Sequence, residues 1–294
     1  QVKEHVNNFV EFCYIYIDNY FTLLYHIFIK RKGGIFMVSS DFRKEAREKL
    51  SGKWSKAVCI NLAYMLVFFL FNILESLCSD IMQSFLSLVF AIIEVPLSLG
   101  LIISFVKLFN DEDVKAFDFL TTGFNNFGKS WGIAWNIFVK MVLPVILTVV
   151  SYVIIVFGIF QTASSSMLYE TSSSTTSIVL VLIGIVLFIA ASIWSVTKSY
   201  YYQLAYIIAA DKPELSSKEA VEESEKLMTG KRGKLFCLQL SFIGWAILAV
   251  FTLGIGYLWL IPYVQIAIIA FYKFACGDSE NKEIDGSVIV ENEE

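Results

Sequence analysis

Long apolar runs, broken by short polar ones, set the pattern of this chain. Stretches with at most one charged residue each fall near residues 57 to 77, 84 to 106, 137 to 160, 178 to 197, 235 to 253 and 257 to 274. Each approaches the ~20 residues an α-helix needs to cross ~30 Å of hydrocarbon. None shows the apolar and polar alternation over ~10 residues that marks a barrel strand. The pattern predicts an all-α, polytopic membrane helix bundle with six transmembrane helices.

The polar segments between these runs repeat a phrase. "EKLSGKWSKAVCINL" at 48 to 62 and "EKLMTGKRGKLFCLQL" at 225 to 240 share Leu, Gly, Lys, a second Lys, Cys and Leu, and "LTTGFNNFGKSW" at 120 to 131 is a weaker third version. In the last copy, Ser216 and Glu219 have the spacing of a capping box. Ala220, Ser224, Leu227 and Met228 follow as a helical stripe, and Gly230 is placed to end the helix in a left-handed conformation. The first copy has Phe42, Ala46 and Leu50 with Gly52; the middle copy has Val114, Phe117, Leu120, Phe124 and Phe127 with Gly123. The chain thus reads as three copies of one unit: a short cytoplasmic interfacial helix, a glycine elbow and a transmembrane hairpin.

Charge gives the hairpins a direction. Arg43, Lys44, Arg47, Lys49, Lys53 and Lys56 precede the first span, Lys107, Lys115 and Lys129 follow the second, and Lys198, Lys212, Lys218, Lys226, Lys231, Arg232 and Lys234 follow the fourth. The opposite loops, 78 to 83, 161 to 177 and 253 to 256, contain no Lys or Arg. Because cytoplasmic loops carry the basic excess, both termini are expected in the cytoplasm of a cell-membrane protein. Lys53 and Lys56 at one elbow, and Lys231, Arg232 and Lys234 at the other, are expected to meet the anionic cytoplasmic leaflet, each worth about 1 kcal/mol there. Gly52, Gly230, Leu227 and Met228 belong to the same elbows as candidate contacts for lipid headgroups, a membrane-protein partner or a second copy of the chain.

Composition agrees with the class. Hydrophobic residues make up 56% of the chain and the mean hydropathy is +0.65; charged residues fall to 17%, against ~25% in an ordinary soluble domain. Residues 277 to 294 concentrate acids and are expected to be a solvated, disordered tail. They account for much of the acidic balance, so net charge says little about partners, and nothing points to nucleic acid. Residues 1 to 36 stand apart. Lys32, Gly33 and Gly34 just before Met37 can be encoded by a ribosome-binding sequence, so this stretch is expected to be an upstream leader outside the six-span region 37 to 276. The alternative is a marginal extra helix from Phe12 to Ile29, interrupted by Asp18, Asn19 and His26.

The stretch from 199 to 274 resembles the carboxy-terminal half of the bacterial integral-membrane family filed as domain of unknown function 975. The resemblance rests on Asp211 and Pro213; Ala220, Ser224, Met228 and Gly230; Phe236, Ser241, Phe242, Gly244 and Trp245; and Gly254, Gly256, Pro262, Tyr263, Phe271 and Tyr272. It implies a multipass bacterial membrane protein and brings no activity and no catalytic residues.

Candidate chemistry is sparse. Both histidines, His5 and His26, lie in the leader, and the cysteines Cys13, Cys59, Cys78, Cys237 and Cys276 form no C-x-x-C pair, so neither a zinc site nor a cofactor nor enzymatic activity is expected. Cys59 and Cys237 recur at one place in the repeat, as small residues packing at a helix crossing would. Asn61, Asn72, Gln239 and Gln265 are expected to bridge helices. The intramembrane candidates are Glu94, near the middle of the second span, and Lys140 in the third, since ionisable groups at that depth are functional by default. The two could pair; alternatively Lys140 reaches the interface. The functional expectation is transport or export of a small or lipid-like solute, with a non-catalytic accessory role through the cytoplasmic helices as the alternative.

Overall fold

The computed structural model describes residues 39–168 and 173–291, with side chains over 39–162 and 177–277. The leader therefore lies outside the described residues. The chain forms α1 (Ser39–Leu50), α2 (Trp54–Ser76), α3 (Asp80–Phe109), α4 (Asp118–Asn125), α5 (Phe127–Leu168), α6 (Ser173–Tyr202), α7 (Ala205–Asp211), α8 (Ser217–Met228), α9 (Arg232–Leu240), α10 (Ile243–Phe251) and α11 (Tyr257–Glu291), and among the described residues there is no strand. Six segments are long and apolar enough to cross a membrane: Trp54–Ser76, Asp80–Phe109, Phe127–Thr162, Ser177–Asp211, Arg232–Phe251 and Tyr257–Gly277. They coincide with the six apolar runs, and several extend beyond them because the helix continues past the hydrocarbon-length stretch.

The helices fall into two units, one formed by α1 to α4 with α9 to α11, the other by α5 to α8. In the first, α2 and α3 make a hairpin about the turn at 77–79, held by Phe90, which stacks on Phe71 at 3.9 Å and meets Phe68 edge-on at 4.9 Å. The half of α3 beyond Pro96 is buried at Leu97, Leu99, Leu101, Phe105 and Leu108, whereas Ile81, Phe85, Leu88 and Ile92 of the other half are exposed. α4 folds back on that buried half. A methyl group on Gly100 would stand 2.1 Å from the Phe119 carbonyl, and one on Gly123 would stand 2.6 Å from that of Pro96. The two backbones touch because neither residue has a Cβ.

α1 lies across α11. Phe42 is buried edge-on to Phe271 and Phe274, both at 5.4 Å. Arg43 donates to the Ser241 carbonyl (3.4 Å), Arg47 to the Tyr263 hydroxyl (3.2 Å), and that hydroxyl to the Arg43 carbonyl (3.3 Å). Two of the family-like motif residues, Ser241 and Tyr263, thus anchor α1. Gly254, at φ +87°, makes the turn between α10 and α11, where a Cβ on Gly256 would stand 2.8 Å from Ala249 Cα. Pro262 stands inside α11.

In the second unit, α5 and α6 cross where a Cβ on Gly158 would lie 2.7 Å from Val181 and one on Gly184 2.8 Å from Ile155. Close approach through small residues is a recurrent packing mode in membrane bundles. α8 begins with the expected capping box, the Ser216 hydroxyl accepting from the Glu219 amide and the Glu219 carboxylate accepting from the Ser216 amide. Its stripe of Ala220, Ser224, Leu227 and Met228 is buried, and Ser224 donates to the Tyr201 carbonyl at 2.7 Å.

Several expectations change. Gly52 and Gly230 have left-handed φ of +74° and +77°, but Gly123 sits inside α4 and serves close packing instead of an elbow. The middle stripe is not the buried face: Val114 is buried, while Phe117 and Phe124 are about half exposed and the inward residues of α4 are Phe119 and Gly123. Cys59 is exposed, not packed at a crossing. Asn61 does bridge, donating to the Tyr257 and Leu258 carbonyls, whereas Asn72 turns back to Phe68 of its own helix. The acidic tail, expected to be disordered, continues α11 as helix through Glu291. Its Glu and Lys residues are good helix formers, and they extend a helix already nucleated.

Candidate functional site

Glu94 stands near the midpoint of the 30-residue α3, two residues before Pro96. It is exposed, as are Ala91 and Ile92. One turn earlier on the same face comes Phe90, followed by Ser87, whose hydroxyl donates to the Glu75 carboxylate at the far end of α2. Across the hairpin, α2 contributes Phe71, Phe68 and Tyr64, spaced so that all three face α3. Tyr64 stacks obliquely on Phe68 at 4.6 Å and meets Phe119 of α4 at 5.5 Å, and it lies within electrostatic reach of Glu94. The hairpin therefore carries a continuous row of rings with Glu94 beside its lower end. Within this unit no described cation pairs with Glu94.

Lys140 acquires a partner that spacing did not suggest. Its ammonium lies 2.6 Å from Glu225 Oε2 of α8 and 5.6 Å from the centre of the Tyr202 ring at the end of α6. Lys140 thus ties α5 to α8 and the end of α6, where the sequence had left open a pairing with Glu94. The missed signal was Glu225 itself, on α8 one residue after the buried Ser224.

The elbow lysines are also engaged. Lys53 donates to Asp111 and to the Leu108 carbonyl (3.1 Å), Lys49 to Asp111 (3.3 Å), and Lys56 to Asp113 (2.6 Å). Lys53 thus adds a charged donor to a last-turn carbonyl of α3 that also accepts from the Asp111 amide. Asp111 adopts φ +67°, a left-handed conformation that Asp tolerates better than most residues. Lys53 first, then Lys49, holds the Asp111 carboxyl below the usual carboxylate range, and Lys56 does the same for Asp113. On the other wall of this crevice, burial pushes the Glu45 carboxyl up. The crevice, about 330 Å³, is lined by Glu45, Glu48, Lys49, Ser51, Lys53 and Asp111.

At the last elbow Lys231 is buried and donates to the Ala275 carbonyl at 2.9 Å, and Lys234 lies 5.0 Å from the Phe274 ring. Lys231 therefore braces α11, which corrects the expectation that it faces headgroups. Arg232 is half-buried. Leu227 and Met228 are buried as well, so they are unsuited to contact a partner. Of the remaining motif residues, Pro213 gives its carbonyl to Lys129 at 2.9 Å, close to Asp211 at the end of α7, and Gly244 and Trp245 lie in α10. They build the scaffold and converge on no reactive centre. Among the described residues no His, Cys, Asp and Glu group has the form of a metal site.

Helices of this length and apolarity define a multipass membrane protein. Its family is shown as well: the model described as "Protein of unknown function (DUF975)" matches residues 37–276, and the chain belongs to that family. No match was found among curated proteins or solved structures.

Proposed function

We propose that the protein translocates a lipid-like amphiphile across the cell membrane, without catalysing a covalent reaction, and that Glu94 is the group its polar head meets. The observation that carries this reading is the exposure of a carboxylate at the midpoint of α3, a helix of mostly apolar residues that also exposes Leu88 and Ile92. An acidic group at the centre of a bilayer costs about 2.5–3.5 kcal/mol on insertion scales. A cargo that brings its own polar head into the membrane offsets that cost, and it can arrive sideways from the lipid. In this arrangement both termini are cytoplasmic, the α2/α3, α5/α6 and α10/α11 hairpins point outward, and α1, α4 and α8 lie at the inner interface. Leu227 and Met228 are buried, so an accessory role would have to act through other elbow residues such as the exposed Gly52, Lys56 and Gly230.

The test is phospholipid movement. Full-length protein in vesicles of phosphatidylcholine and phosphatidylglycerol with a trace of NBD-labelled phospholipid should make the inner-leaflet label accessible to dithionite faster than in protein-free vesicles. Glu94→Gln should return the rate to the protein-free value while the protein stays monodisperse in detergent. A wild-type rate equal to that of empty vesicles sinks the transport reading.

A further inference from the structure

The row of rings beside Glu94 specifies more than a generic polar head. Phe71 and Phe90 stack at 3.9 Å, Phe68 meets Phe90 edge-on at 4.9 Å, and Tyr64 lies 4.6 Å from Phe68. All four side chains are partly exposed, so the row is open along one edge of the hairpin and is not sealed in a core. Glu94 is one helical turn from Phe90, on the same face. Aromatic faces carry negative electrostatic potential and attract a cation within about 6 Å of the ring centre. A carboxylate at one end of such a row adds a full countercharge. Rings alone would accept any apolar chain, and a carboxylate alone any cation. Together they select a cation too weakly hydrated to prefer water, and an alkylated ammonium has that property.

We infer that the partly exposed ring row of the α2/α3 hairpin binds the alkylammonium headgroup of a membrane-borne amphiphile, with Glu94 as counter-ion and Phe90, Phe68 and Tyr64 as the aromatic wall. Leu88 and Ile92, two positions either side of Phe90 and so on the side of α3 turned away from the rings, are also exposed. Exposure of these residues on the outer surface favours entry from the bilayer over entry from water. The inference rests on Glu94 being a working carboxylate, as in the transport reading, but it concerns binding alone.

The experiment uses the full chain in lipid nanodiscs and tritiated dodecyltrimethylammonium, with binding read by scintillation proximity. Saturable binding is expected, displaced by unlabelled dodecyltrimethylammonium, poorly by tetramethylammonium and not by dodecanol. Glu94→Gln and Phe90→Leu should each weaken affinity about three- to thirtyfold, the range of a cation–π or desolvated charge contact. Phe69→Leu, on the exposed outer face of α2, should leave affinity unchanged. Equal displacement by dodecanol, or wild-type affinity in both Glu94→Gln and Phe90→Leu, overturns the inference. Equal displacement by tetramethylammonium overturns the membrane-borne source. Binding that survives while labelled phospholipid fails to move removes only the transport reading; Glu94-dependent movement without binding removes only the alkylammonium ligand.

Discussion

Single glycines do two different jobs in this chain, and substitution separates them. Gly100 and Gly123 let two helix backbones touch, and a Cβ on Gly100 would meet the Phe119 carbonyl at 2.1 Å, a backbone atom that cannot swing aside. Gly100→Ala should therefore lower stability by about 1–3 kcal/mol, the usual cost of overpacking. That loss would be seen as a reduced melting temperature in detergent and reduced abundance. Gly52 and Gly230 have open space around the absent Cβ, yet their φ of +74° and +77° is left-handed. Alanine there costs about 1–2 kcal/mol through the backbone alone, and Asn should recover part of it because it tolerates that region. Asn at position 100 should recover nothing. Gly128, with right-handed φ and nothing within 4 Å, is the control expected to accept Ala without loss.

At the scale of elements, the first elbow is a clamp. Lys49 and Lys53 from the α1/α2 corner meet Asp111, and Lys56 meets Asp113, so the segment after α3 is tied to the start of α2. Because both carboxyls are held below their ordinary range in the folded chain, the clamp's stabilisation is fully present above that range and is lost as pH falls through the depressed folded values. The pairs are exposed, so each contributes little and salt weakens it. Protection of the 110–117 amides against hydrogen exchange, taken relative to the intrinsic rate at each pH, should fall on acidification below the ordinary carboxylate range and on adding salt at neutral pH. Asp111→Asn with Asp113→Asn should show fast exchange under all these conditions; unchanged protection in that variant would discard the clamp. Much at this scale was legible beforehand: the Ser216 capping box, the α1 and α8 stripes and two of three elbows follow from residue spacing. The middle copy failed for a physical reason. A row of Phe at helical intervals marks a protein-facing side in water, but next to a bilayer either face of α4 can be apolar. The contact that decides is the meeting of Gly100 with Gly123, which a stripe pattern does not show. The partner of Lys140 was not legible, since Glu225 is distant in sequence and belongs to a helix counted only as an amphipathic stripe; a lysine reaching α8 agrees with the alternative that Lys140 extends toward the interface.

For the whole molecule, five of the six apolar segments carry many large side chains on the surface, Phe69, Phe85, Phe138, Phe157, Val186 and Phe251 each being more than half exposed, while the last, Tyr257–Gly277, is largely buried. A water-soluble chain seldom exposes apolar surface on this scale, and lipid is the solvent that suits it. The basic loops then predict which side each turn occupies. Cys78, at the turn between α2 and α3, should face outward, and Cys276, just beyond the last apolar run, should face the cytoplasm. In chains retaining one cysteine at a time, a membrane-impermeant maleimide added to intact cells should label Cys78 at once and Cys276 only after permeabilisation. The reverse result would invert the molecule and place the elbow lysines outside, against the charge asymmetry of the loops. Labelling of both from outside would require an odd number of crossings between 78 and 276 to become even with one apolar helix failing to span. The α9/α10 segment would then be the helix to test first, because Ser241 and Phe242 interrupt it.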